Sequence, residues 1–403
     1  MDEKVFNAHL GGKIEVNLKR KITSLEDLAV VYTPGVAQVC NQIHHEPNSD
    51  HFFTIKRNTV AVVTDGTAVL GLGNIGPSAS LPVMEGKAML FKQLAGVDAF
   101  PIAIDAKGKT PDEIVECIRM IAPVFGGINL EDIAAPACFE IEEKLQKAVN
   151  VPVFHDDQHG TAVVVTAALY NAIKLTGKNI ETLKVVVSGV GAAGIACTKM
   201  IIGAGIRNVI GCDTSGAIYK GRTNNMNHAK EEFASYTNPG LEKGSLADVL
   251  KGADLFLGLS GPNLFGEEVL KTMNKDCIIF AMSNPTPEVD RDLAVKYASI
   301  VATGRSDYPN QINNVLCFPG FFRGLLDANA YTVTEAMKFA AARAIADCIP
   351  ENELRADYII PDAFNENVAI AVAAAVKQVA IEEGVCKKLI TDDPQVQKAA
   401  SLA

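Results

Sequence analysis

Residues 185 to 196 read VVVSGVGAAGIA: an apolar β-branched run, a glycine triplet and the start of helical patterning. Gly189, Gly191 and Gly194 stand at GxGxxG spacing. There the first glycine permits a tight turn, the second admits a pyrophosphate close to the backbone, and the third lets helix and strand pack closely. Ala192 and Ala193 fill the variable positions, at a helix N-terminus whose amides stabilise phosphate charge. Asp213 ends the next apolar run, VIGCD, where an acid accepts from a ribose hydroxyl. A purely structural glycine turn is the lesser reading in this context. An acid there favours NAD, while Lys220 and Arg222 just beyond suit a 2′-phosphate, so NAD and NADP both stay open.

The rest of the chain alternates in the same manner. Apolar runs at 59–64, 100–104, 184–188, 209–212, 255–259, 278–281 and 300–302 predict strands. Helical spacing at 85–95, 111–121 and about 160–175 predicts the helices between them. From residue 327 onward the pattern is mostly helical. The fold class is therefore α/β: an N-terminal α/β domain, then a doubly wound Rossmann-type domain with C-terminal helices. A length of 403 residues exceeds one ordinary domain. The divisions fall at 1–158, 159–385 and a tail, 386–403.

Charge and cysteine usage exclude several functions. The net charge is -10 and no Lys/Arg run occurs, which argues against a nucleic-acid partner. Nine cysteines lie scattered without a CxxC pair, as reduced thiols in a cytoplasmic protein would. Residues 1 to 10 lack an apolar signal core. The most apolar late stretch is broken by Lys377 and Gln378, so no membrane span is expected.

Two acidic pairs precede the glycine loop. Glu131 and Asp132 lie in NLEDIAAP, Asp156 and Asp157 in HDDQHGTA, just before Gly160 and Thr161 where a helix begins. A single acidic pair is usually a solvated face. These two abut apolar sequence, and three converging carboxylates suit Mg2+ or Mn2+. His155 and His159 lack zinc-type spacing and read as structural. Tyr32 and Lys87 each sit beside a glycine or proline break. Taken singly, they read as a core tyrosine and a surface lysine. The sharper reading makes them a proton donor and a base in a dry, metal-bearing cleft. Asn284, Asn313 and Asn314 are amides in loops after apolar strands, where substrates bind in such sheets. Their plainer reading is turn chemistry.

With these residues in view, the chain resembles the malic enzymes. YTPGVA, TDGTAVLGLGNIGPSASLPVMEGK, INLEDI, FHDDQHGTA, SGVGAAGIA, MSNPTPE and NNVLCFPG follow in that order over nearly the whole chain. The resemblance implies oxidative decarboxylation of (S)-malate to pyruvate and CO2, with NAD or NADP reduced. Lys87 would take the proton of the C2 hydroxyl, Tyr32 would protonate C3, and Asp156 would assist Lys87. Glu131, Asp132 and Asp157 would hold Mn2+ or Mg2+. Lys87, Asn284 and one of Asn313 and Asn314 would contact substrate. Thr161 and Asn284 join Gly189, Gly191, Ala192, Ala193, Gly194 and Asp213 as cofactor contacts. A homodimer is implied, with Tyr32 supplied by the partner subunit. Longer members carry an arginine where this chain has Ala68; Ser78, Ser80 or the amides near Gly73 and Gly76 are candidates to replace it. Malolactic conversion shares these motifs and stays open. A silent nucleotide-binding protein does not fit the intact acid, base and metal positions.

Overall fold

The computed structural model describes residues 2–69 and 71–388, together with Pro394 and Gln397. Most of the expected tail at 386–403 lies outside the described residues.

Among the described residues, ten strands form two sheets. β1 (Thr59–Thr64), β2 (Asp98–Ala103), β3 (Gly127–Leu130) and β4 (Val153–His155) make a parallel sheet in the order 2-1-3-4. β1 reads TVAVVT and is buried at all six positions, as a strand covered on both faces requires. β5 (Lys184–Ser188), β6 (Asn208–Asp213), β7 (Gly216–Ala217), β8 (Leu255–Gly258), β9 (Cys277–Ala281) and β10 (Ala298–Thr303) make the second sheet. Its order is 10-9-8-5-6-7, parallel except for β7. The order reverses at β5, so the glycine loop leaves the sheet at its switch point, where doubly wound folds bind ligands.

The helices that matter for the site are α1 (Leu25–Val31), α2 (Val36–His45), α3 (Pro77–Ala95), α4 (Pro111–Ile121), α5 (Ala137–Ala148), α6 (Thr161–Thr176), α7 (Ala192–Gly203), α8 (Phe318–Asp327), α9 (Glu335–Asp347) and α10 (Glu366–Glu382). The break at Thr33–Gly35 separates α1 from α2 as the sequence predicts, and Ser24 caps α1 by accepting from the Asp27 amide. α3 departs from expectation. The sequence reading starts it after Pro82, but it begins at Pro77, whose fixed φ suits the first helical position, and it runs on through Pro82.

One core spans both sheets. It joins Val60, Met84 and Phe91 of the first half to Val185, Leu255 and Phe280 of the second, with α6 and the C-terminal helices between them. Phe91 on α3 packs against Phe318 and Phe322 on α8, with ring centroids 4.7 and 5.4 Å apart. α10 covers α8 and α9. The N-terminal segment is different: none of its described residues before Glu46 is buried. Phe6, Leu10, Val16, Leu18, Leu25 and Val30 are all exposed there. Lys13 ties this segment to α3, its amide donating to Glu85 at 3.1 Å and its Nζ to the Pro82 carbonyl at 2.6 Å. No described helix is long and apolar enough to cross a membrane.

Candidate active site

Strand register brings the two acidic pairs together. Leu130 at the end of β3 pairs with His155 at the end of β4. Glu131-Asp132 and Asp156-Asp157 therefore leave adjacent parallel strands at the same level. Residues Asp156–Gly160 form a single π-helical turn that leads into α6 at Thr161. Such turns are rare and gather at functional sites. Oxygens of Glu131, Asp132 and Asp157 lie within 4.8 Å of one another. The Asp132 amide donates to Asp157 Oδ2 at 2.8 Å, and its carbonyl accepts from Ala68 N–H at 2.9 Å. Asp132 has φ 53, a left-handed conformation that costs energy for a non-glycine residue and clusters at ligand sites.

Lys87 points into this cluster from α3. It is only 7% exposed, so the surface reading of this lysine fails. Its Nζ donates to Asp156 Oδ2 and lies 2.8 Å from Glu131 Oε1. The Phe318 ring sits beneath it, 4.3 Å from the ammonium to the ring centroid. The Asn314 amide also donates to Asp156 Oδ2, and Asn129 donates to Glu131 Oε2 at 2.9 Å.

Burial alone would lower the pKa of Lys87. The charges of Asp156, Glu131 and Asp157 outweigh it and hold the ammonium well above the ordinary lysine range. Burial pushes Asp156 up to about 7 against the pull of Lys87. It also raises Glu131 and Asp157, each further raised by a neighbouring carboxylate. Four acids thus gather about one ammonium; Glu131, Asp132 and Asp156 are buried, and the Asp157 side chain, 35% exposed, opens to solvent. Such a surplus of oxygen charge in a largely buried cleft is chemically suited to a hard divalent cation, and the donors present fit Mg2+ or Mn2+.

The glycine loop adjoins the cluster. Gly189 has φ 98, and a Cβ on Gly194 would come within 1.9 Å of the Gly189 carbonyl oxygen, so both positions exclude larger residues. The loop opens a cavity of about 930 Å³ lined by Gly189, Asp213, Asn225, Lys230, Ser245 and Ser260. Ala192 packs on the core of the first sheet, and the Asp156–Gly160 turn packs on α7. Asp213 sits at the end of β6 but is not a free acid. Its Oδ2 accepts from Arg222 Nη2 at 2.6 Å, Lys230 Nζ at 2.7 Å and Asn225 Nδ2 at 3.1 Å. Burial works against its ionisation, yet the Arg222 and Lys230 bonds hold its carboxyl below the usual range. Arg222 is buried and also donates to the carbonyls of Gly216 and Ala217, while Lys220 is exposed.

The remaining candidates are placed unevenly. Asn314 reaches the cluster, whereas Asn313 caps a short turn by accepting from the Val315 amide at 3.0 Å. Asn284 donates to the Gly304 carbonyl at 3.4 Å, and its own carbonyl lies beside Gly71. Tyr32 is 65% exposed and is not joined to the cluster within this chain. Ser80 is buried with its hydroxyl donating to the Pro77 carbonyl at 2.6 Å, and the Gly76 amide donates to the Gly66 carbonyl at 3.1 Å. Neither is therefore available in place of the missing arginine. Ser78 stays exposed. His155 is fully buried, and burial holds its ring down to about 4, so it is neutral and structural.

Sequence reasoning missed Asn129, Glu142, Lys230 and Lys338. Asn129 stands two residues before Glu131, on the same side of a strand. Glu142 and Lys338 fall on buried helix faces, with Cys138, Ile141 and Leu145 in one case and Met337, Ala341 and Ile345 in the other. A charge at an apolar register position was the available signal.

Comparison with known proteins places this geometry. Residues 11–146 match the sequence model described as malic enzyme, N-terminal domain, and residues 158–381 match malic enzyme, NAD binding domain. An NAD-dependent malic enzyme of Geobacillus stearothermophilus is 56% identical over 388 residues, covering 96% of this chain and 80% of that protein. A bifunctional malic/malolactic enzyme of Bacillus subtilis is 54% identical over 385 residues, covering 95% and 93%. The crystal structure of NAD-dependent malic enzyme from Thermotoga maritima superposes with a TM-score of 0.89 at 46% identity, covering 94% of this chain and 99% of that one.

Proposed function

The chain belongs to the malic enzyme family, and on that premise we propose how its residues divide the oxidative decarboxylation of malate to pyruvate and CO2 with NAD or NADP. The observation that carries the reading is Lys87 bonded to Asp156 at the rim of the Glu131, Asp132 and Asp157 triad.

Those three carboxylates would hold Mn2+ or Mg2+. When bound, the cation supplies Lewis-acid charge at the C2 oxygen and the dinucleotide supplies the hydride acceptor. Lys87, once it has passed its ammonium proton along its bond to Asp156 Oδ2, takes the C2 hydroxyl proton at Nζ. Asn314 donates to the same Asp156 oxygen and helps fix that carboxylate. Phe318 excludes water beneath Lys87 and keeps the charges strong. The glycine loop, Thr161 and Asn284 would hold and orient the cofactor. Asp213 serves the ribose, and Lys230 beside it suits a 2′-phosphate, which supports use of both NAD and NADP.

The apolar N-terminal segment supports a homodimer in which Tyr32 enters the partner's site and protonates C3. We place the division between the two domains at residues 158 and 159, inside the π turn. The free thiols support a cytoplasmic enzyme.

Near-ultraviolet absorbance of reduced nicotinamide, with malate, Mn2+ and either cofactor, tests the reading. A metal-dependent rise that EDTA abolishes is expected. No rise in either cofactor, with no other product, would overturn it. The malolactic name of the Bacillus subtilis relative supports a second reading; lactate formed without release of reduced cofactor would establish it.

A further inference from the structure

We propose that Glu142 is a positioning residue that locks the Asp156–Gly160 turn from behind and thereby sets the affinity of the Glu131, Asp132 and Asp157 triad for a divalent cation. This rests on the metal-site reading above.

The turn is gripped on two sides. In front, Lys87 and Asn314 bond Asp156, and the Asp132 amide bonds Asp157. Behind it stands α5, and there Glu142, 6% exposed, reaches the turn at three points. Its Oε1 accepts from the His155 amide at 3.2 Å and from His159 Nε2 at 2.8 Å. Its Oε2 accepts from Gln158 Nε2 at 3.2 Å and lies 3.0 Å from His159 Nε2. Lys338 on α9 fixes the other side of the His159 ring, with Nζ 3.1 Å from Nδ1, and is itself held by Glu335 at 2.7 Å. An ammonium can only donate, so Nδ1 accepts and the ring hydrogen sits on Nε2, aimed at Glu142.

These bonds hold the residue before the turn and its third and fourth members. Asp156 and Asp157 are left facing forward. The turn has little slack: a Cβ on Gly160 would fall 1.9 Å from Asp156 Oδ1. Without the Glu142 carboxylate, a buried amide, a buried carboxamide and an imidazole lose their acceptor together. The π turn then relaxes, and Asp157 no longer meets Glu131 and Asp132 at ligand spacing. Partners one layer outside a metal site commonly change its affinity by about 10- to 100-fold.

The test is a Mn2+ titration of the metal-free enzyme, with free Mn2+ read by electron paramagnetic resonance and NAD binding measured in parallel. Glu142→Gln keeps the side-chain volume and removes the charge and one acceptor. It is expected to raise the Mn2+ Kd by about 10-fold or more while the NAD Kd stays within about 2-fold. Lys338→Met acts on the same ring from α9. It lets the ring hydrogen move to Nδ1 and is expected to give the same selective loss, which also covers a Glu142→Gln protein that fails to fold. An unchanged Mn2+ Kd in a folded variant, or equal losses of Mn2+ and NAD binding, would overturn the inference. Absence of Mn2+ binding in the unaltered enzyme would instead overturn the metal-site reading itself.

Discussion

Lys87 Nζ lies 2.8 Å from Glu131 Oε1, although one comes from the middle of a helix and the other from the end of a strand. The same ammonium also bonds Asp156 at the end of the neighbouring strand. A single cation thus ties the acid that would bind metal to the acid that would share its proton.

That tie separates two effects of removing the lysine. Lys87→Met is expected to lower kcat by about 10³-fold, the usual worth of a proton-transfer group. Mn2+ binding should persist or tighten, because a competing positive charge has gone. Steady-state kinetics beside a Mn2+ titration decides it; lost metal binding would make the lysine a structural strut.

Asp157→Asn addresses the triad directly. It deletes one anionic oxygen from a three-oxygen cluster and should raise the Mn2+ Kd by roughly 100-fold. The NAD Kd should hold. Calorimetric titration of both ligands checks this.

Lys230 is the more replaceable cation on Asp213: its ammonium donates besides only to the Asn225 carbonyl, whereas buried Arg222 also donates to those of Gly216, Ala217 and Asn224. Lys230→Ala should cut kcat/KM for NADP by about 10-fold through loss of a charged hydrogen bond. The NAD value should stay level, because Asp213 Oδ2 keeps its Arg222 and Asn225 donors and the ribose diol loses no charged partner. Equal losses for both cofactors would refute this assignment.

Sharing of Tyr32 between subunits can be read by complementation. Tyr32→Phe and Lys87→Ala are each expected to be nearly inactive. Unfolded together and refolded, they should recover roughly a quarter of the original activity, because half the dimers then carry one intact site of two. No recovery would place Tyr32 in its own chain's site.

His51 gives a stability signature of its own. Burial, then Arg57 and Lys387, lower its pKa to about 4 from the ordinary 6.5. Above the ordinary value both folded and unfolded chains leave it neutral, and nothing is lost. Between that value and about 4 the unfolded chain takes a proton that the folded one refuses, so stability falls as pH falls. The loss should approach about 2 to 3 kcal/mol. His51→Gln should remove that part of the slope in urea unfolding followed at a series of pH values.

What could be read from the sequence was what short patterns carry. The strand at Thr59–Thr64, the helix at Pro111–Ile121 and the strand into the glycine loop match because each buries a local pattern on its own register. The start of α3 was hidden because a proline within a helix is normally a stop and here is not. The acidic pairs were visible, but their meeting depends on Leu130 pairing with His155, and pairing between strands has no local signature. Taken singly, Lys87 offered a surface reading beside that of a base in a cleft, because the acids that justify its burial lie on other elements. Glu142 and Lys338 were overlooked because each meets His159, which is distant in sequence from Lys338 and on another element from Glu142.

The stacking of Phe91 against Phe318 and Phe322 bears on how the protein is made. A ribosome extends a chain by roughly 5 to 20 residues per second. For many seconds after α3 emerges, the rings that cover Phe91 have not been synthesised. The first sheet must therefore wait with an apolar helix face uncovered, and Lys87 on that helix cannot settle over the Phe318 ring until α8 leaves the exit tunnel. The nascent first half is a natural client for a holding chaperone.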